Sequence, residues 1–144
     1  KLAKEPWDMT DEEFKKNLMR HKKALIKPTI LDQTVVCGLG NIYADESLYF
    51  AKIHPERIVE SLTDEEIHEL LIGARTVMQE SIDSGGSTMA TYVKADGTKG
   101  DYLTKFAKVF RREGEPCERC GTEIIKIKVA GRGTHLCPYC QKKF

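Results

Sequence analysis

The stretch Cys117-Glu118-Arg119-Cys120 reads CERC, and sixteen residues later Cys137-Pro138-Tyr139-Cys140 reads CPYC. Four thiols gathered near the end of a chain either pair as disulfides or bind one metal. The spacing C-x2-C-x16-C-x2-C falls within the range of zinc sites. Each C-x2-C turn presents two sulfurs, and a tetrahedral ion takes two such pairs face to face. Disulfides need an oxidising compartment. The opening KLAKEPWDMTDEEF has no apolar core behind its basic residues and is not a secretory signal, and a fifth cysteine, Cys37, would be left odd. The spacing therefore reads as one structural Zn2+ on Cys117, Cys120, Cys137 and Cys140, with no open catalytic position. Cys37 is expected to be a small buried hydrophobe at a helix end.

The residues between the two cysteine pairs suit a β-hairpin. Ile125, Ile127 and Val129 alternate with Lys126 and Lys128, and AGRGTH turns the chain back. Gly131-Arg132-Gly133 is expected to project an arginine from the turn. The guanidinium there is either an ordinary exposed turn residue or a group placed to meet a phosphate or a base.

Upstream the texture is helical. Thr10-Asp11-Glu12-Glu13 has the capping-box form, and Phe14, Leu18 and Leu25 continue at helical spacings until Pro28 should stop the helix. A second helix is expected over residues 29–37, ending at the GLGN turn with Gly38 and Gly40. Asn41 reads as the N-cap of a third, with Asp45 and Glu46 near its positive end. Thr63-Asp64-Glu65-Glu66 is a second capping box, followed by Ile67, Leu70, Leu71, Ala74, Met78 and Ile82 on one helical face that Gly85-Gly86 ends. Residues 87–103 are rich in Gly, Ser and Thr without a sustained period, a length usually reserved for functional loops. AKVFRREGEP then reads as a strand-like entry to the cysteine module.

These segments place the fold as mainly α with a small β zinc finger. The expected units are a helical domain over 1–84, a loop and connection over 85–108, and the finger over 109–144. No apolar run reaches the roughly 18–20 residues of a membrane span. The net charge of +1 conceals an asymmetry: residues 105–144 hold ten Lys/Arg against four Asp/Glu. A basic end beside acidic helices points to a polyanion partner or, more simply, to a solvated charged face.

Several stretches converge on one family. LDQTVVCGLGNIYADESL, IHPER, GGSTMATYV, GEPCERCG and GRGTH–CPYCQ, in this order, resemble the C-terminal half of bacterial formamidopyrimidine-DNA glycosylase, a glycosylase/lyase that excises oxidised purines. The resemblance runs from about Trp7 to Gln141. It implies a helix–two-turn–helix DNA-binding domain followed by a zinc finger. It also implies that Lys27, Gly40, Asn41 and Arg132 contact DNA, and that Arg132 takes part in the elimination step. Ser87, Thr88, Met89, Ala90, Thr91 and Tyr92 would form the loop that closes over an everted base, a need of any enzyme that works on a base inside a duplex. The implied partner is double-stranded DNA carrying an oxidised purine or an abasic site, and the implied location is the bacterial cytoplasm, associated with the nucleoid.

The resemblance also implies a partner domain. The family's nucleophile is an N-terminal proline amine followed by a glutamate, in an N-terminal β-rich domain. This chain begins Lys1-Leu2, and its prolines at 6, 28, 55, 116 and 138 are internal amides. The 144 residues alone are therefore expected to bind DNA weakly and catalyse nothing. Phe110-Arg111-Arg112 stands where the family usually has Tyr-Gly-Arg, and KVFRREGEPCERC is closer to the sister enzyme endonuclease VIII, which prefers oxidised pyrimidines. That enzyme is one alternative, and a non-catalytic nucleic-acid-binding zinc module is another.

Overall fold

The computed structural model describes residues 2–84 and 106–143. The elements run α1 (Asp11–Met19), α2 (Ile26–Leu31), α3 (Asn41–Ala51), α4 (Asp64–Asp83), β1 (Ile125–Val129) and β2 (Arg132–Leu136), with single 3-10 turns at Pro6–Asp8 and Val59–Ser61. The fold is helix–two-turn–helix plus a zinc-finger hairpin.

Both capping boxes form. Thr10 Oγ1 accepts from Glu13 N at 3.1 Å while Glu13 Oε1 accepts from Thr10 N at 3.0 Å, and Thr63 and Glu66 repeat the exchange at 3.1 and 2.9 Å. The hydroxyl and the carboxylate thus satisfy amides that a helix start leaves without partners.

The middle helices differ from expectation. α1 ends at Met19, and Leu25 begins a new helix as its N-cap. Pro28 lies inside α2, at its third residue. A proline ring is tolerated in a first turn, where the missing N–H would have no intrahelical acceptor. α2 closes at Leu31 because Asp32 Oδ1 accepts from the backbone and hydroxyl of Thr34, at 2.8 and 2.6 Å, and turns the chain. Residues 32–37 are therefore turns and bends, and Cys37 there is half-buried. Gly38, at φ +99°, supplies the left-handed residue that the following bend needs. Gly40, and not Asn41, is the N-cap of α3.

The helical core gathers Phe14, Leu18, Ile26, Ile30, Leu48 and Leu70 with their neighbours. α3 and α4 approach closely at Gly73, where an added Cβ would lie 2.9 Å from Phe50 Cδ1 and 3.1 Å from Phe50 Cβ. The apolar face of α4 drifts around the helix: Val77 and Ser81 are buried while Ile82 is 48% exposed.

In the finger, β1 and β2 pair antiparallel in the register Ile125↔Leu136 to Val129↔Arg132. Ala130 and Gly131, at φ 50° and 82°, form the two-residue turn between them. Arg132 is therefore the first residue of β2, paired with Val129, rather than the tip of the loop. The segment 107–116 is a series of turns, not a strand.

Candidate metal centre and the hairpin it carries

The four cysteine sulfurs lie within 4.8 Å of one another. Cys117 Sγ is 3.9 Å from Cys140 Sγ, and Cys120 Sγ is 3.5 Å from Cys137 Sγ. A disulfide requires about 2.05 Å. Sulfurs about 2.3 Å from a tetrahedral zinc stand roughly 3.8 Å apart, so the four thiols fit one structural Zn2+. The backbone N–H of Arg119 points at Cys117 Sγ and that of Cys140 at Cys137 Sγ, both at 3.4 Å, which favours thiolates. Burial pushes the Cys137 thiol up to about 12. Burial also acts against ionising Cys117, but the Tyr49 hydroxyl and the amides of Arg119 and Cys120 outweigh it and bring that thiol down to about 6.

The finger sits on α3. Tyr49 belongs to the same apolar cluster as Val109, Cys117, Ile124 and Cys137, and its hydroxyl lies 3.1 Å from Cys117 Sγ. The Arg119 guanidinium stacks 3.6 Å over the Tyr49 ring and donates to the Tyr49 carbonyl at 2.7 Å. Gln141 is fully buried, accepting from Cys137 N at 2.8 Å and donating to Ile53 O at 3.0 Å.

Two adjacent carboxylates of α3, read in the sequence only as helix-dipole partners, prove to be buried anchors. Glu46 accepts three backbone N–H bonds, from Lys108, Val109 and Phe110, at 2.7–2.9 Å. Burial raises its pKa above the ordinary range, against the pull of these amides. Asp45 Oδ2 accepts from His135 N at 2.9 Å and lies 3.1 Å from His135 Nδ1, while Oδ1 is 2.8 Å from Lys27 Nζ. The sequence signal for either was a pair of acids in the middle of a largely apolar helix.

The expected site residues divide accordingly. The four cysteines converge. Arg132 is exposed at the start of β2, and the next residue is held against the start of α3 by Asn41 Nδ2, which donates to Gly133 O at 3.3 Å. Gly40 is exposed beside it. Lys27 joins this group but is fully buried, and burial lowers its pKa. The hairpin and α2 enclose a cleft of about 340 Å³ lined by Lys27, Pro28, Asp32, Val129 and Arg132. Residues Ser87 to Tyr92 lie outside the described residues.

A family profile described as the formamidopyrimidine-DNA glycosylase H2TH domain matches residues 2–93, and one described as the zinc finger found in FPG and IleRS matches residues 114–143. The chain belongs to the formamidopyrimidine-DNA glycosylase H2TH family. It is 47% identical over 144 residues to formamidopyrimidine-DNA glycosylase of Listeria innocua, covering 99% of this chain and 52% of that protein. The namesake from Pelotomaculum thermopropionicum is 46% identical over 142 residues, covering 98% and 51%. The structure superposes on Lactococcus lactis formamidopyrimidine-DNA glycosylase bound non-covalently to abasic-site DNA, with TM-score 0.86, 43% identity, and coverage of 99% of this chain and 51% of that one. The chain thus spans about half the length of the relatives it matches. Among the described residues no helix is long and apolar enough to cross a membrane.

Proposed function

We propose that this chain is the DNA-gripping half of a base-excision-repair glycosylase/lyase for oxidised purines in duplex DNA, acting with an N-terminal catalytic domain in the bacterial cytoplasm at the nucleoid. The observation that carries the reading is the exposed Arg132 on a hairpin fastened to the start of α3. A guanidinium beside a helix N-terminus suits backbone phosphates, which position a protein on a duplex without reading its sequence. The family resemblance assigns Gly40, Asn41 and Arg132 to that contact, Arg132 also to the elimination step, and residues 87–92 to the lesion. Residues 1–84 and 109–144 would then act as one grip joined by the connection between them.

The zinc, held by Cys117, Cys120, Cys137 and Cys140, supplies folding energy to the finger and leaves no open position for chemistry. Imine formation with an abasic sugar needs an accessible free amine. Lys27, whose pKa burial lowers, is fully buried and so cannot reach a sugar. Because the resemblance places the nucleophilic amine in an N-terminal domain, the 144-residue chain should bind damaged duplex in a salt-sensitive manner and leave no covalent product when treated with borohydride on 8-oxoguanine or abasic-site DNA. A trapped adduct would move the chemistry into this half and overturn the division of labour.

A further inference from the structure

The Lys27 ammonium donates to Thr134 Oγ1 at 2.8 Å and to Gly133 O at 3.1 Å, and Asp45 Oδ1 stands 2.8 Å away as its ion-pair partner. It has no exposed surface to present to a phosphate. Both acceptors belong to the residues immediately after Arg132. Asp45 also holds the backbone and ring of His135. Thr134 Oγ1 in turn donates to the Arg132 carbonyl at 3.0 Å. Three successive residues of β2 are thus fixed from α2 and α3 through one buried ion pair.

We propose that Lys27 and Asp45 are positioning residues for Arg132: their ion pair sets where the hairpin presents the guanidinium, and Lys27 touches no phosphate itself. This rests on the reading of Arg132 as a DNA contact and replaces the contact role that the resemblance implies for Lys27. A buried ion pair adds little net stability over an apolar pair of the same size, and its best-attested use is to fix one arrangement among several. A register of three residues behind a phosphate-binding arginine is such a use.

The test turns on a sign. If Lys27 were a phosphate ligand restrained by Asp45, Asp45→Asn would release it and tighten DNA binding. If the pair positions Arg132, Asp45→Asn weakens binding, by roughly tenfold for the loss of one charge-assisted contact. The measurement is the affinity of the 144-residue chain for a duplex carrying one stable abasic-site analogue, across a salt series, with zinc content checked for every variant. In an Arg132→Ala background neither Asp45→Asn nor Lys27→Met should weaken binding further or flatten the salt dependence. A further fall of about 0.9 in the slope of log K against log salt on adding Lys27→Met would mean that Lys27 meets a phosphate, and would overturn the proposal. Thr134→Val, close to isosteric, removes one acceptor of Lys27 and should weaken binding in the same sense. Unchanged affinity in Thr134→Val and Asp45→Asn, with Arg132→Ala still weakened, would defeat the positioning role alone. Unchanged affinity in Arg132→Ala would defeat the reading of Arg132, and the positioning role with it.

Discussion

Two cations at one edge of the molecule, Lys27 and Arg132, differ in what their donors meet. Lys27 faces two protein acceptors and the Asp45 carboxylate, whereas Arg132 is exposed at the mouth of a cleft. Arg132→Ala should therefore lower affinity for damaged duplex and reduce the salt slope by about 1 while leaving zinc content unchanged. Full affinity in that variant, by anisotropy over a salt series, would count against the contact. Arg132 could be singled out from the sequence because glycines flank it in a hairpin turn, although its place at the first position of β2 followed only once Ala130 and Gly131 were seen to make the turn. Lys27 could not be read the same way. Its acceptors in the hairpin stand 106 and 107 residues away, and no local pattern announces them.

The helices were legible where local chemistry decides them and obscure where packing does. Both capping boxes were visible as hydroxyl and carboxylate three residues apart, and both form. α2 was misplaced because Pro28 has opposite meanings inside a helix and in its first turn, and only the neighbours of Leu25 choose between them. Leu25 forms a bridge with Ile58, and Ile26 N donates to Arg57 O at 2.8 Å, contacts that start a new helix there. Gly73 poses a similar question inside α4. In an exposed helix interior Gly→Ala gains about 0.5–1 kcal/mol. Here the new methyl would meet Phe50, including its Cβ, which cannot move without the α3 backbone. Overpacking of this kind costs about 1–3 kcal/mol, so Gly73→Ala should lower stability in urea denaturation despite its better helix propensity. A rise in the midpoint would show that Phe50 swings clear.

At the scale of the whole molecule, the helical core and the finger are unequal partners. Among the described residues, the main core is built from those before Ser84. Among the described residues, the finger's cluster gathers Val109, Cys117, Ile124 and Cys137 with Cys140 against them, and Tyr49 is lent to it by α3. Metal binding and folding are coupled in such small units. Cys137→Ser should therefore release zinc and unfold residues after 108, while far-ultraviolet circular dichroism keeps the helical signal of α1 to α4. Retention of one zinc per chain in that variant would refute the four-thiolate site, and loss of the helical signal would show that the core depends on the finger. The cysteine spacing and the alternating strand between the pairs announced this module. Its seat on α3, made by Asp45, Glu46 and Tyr49, was hidden because each anchors a segment more than 60 residues distant. That seat restricts how such proteins can be recombined. The finger cannot be exchanged as a cassette at a boundary between the two units: a foreign finger would meet the carboxylates of Asp45 and Glu46 without the amides that answer them. A working chimaera must carry α3 along with the thiols, so the heritable unit is the finger together with its seat.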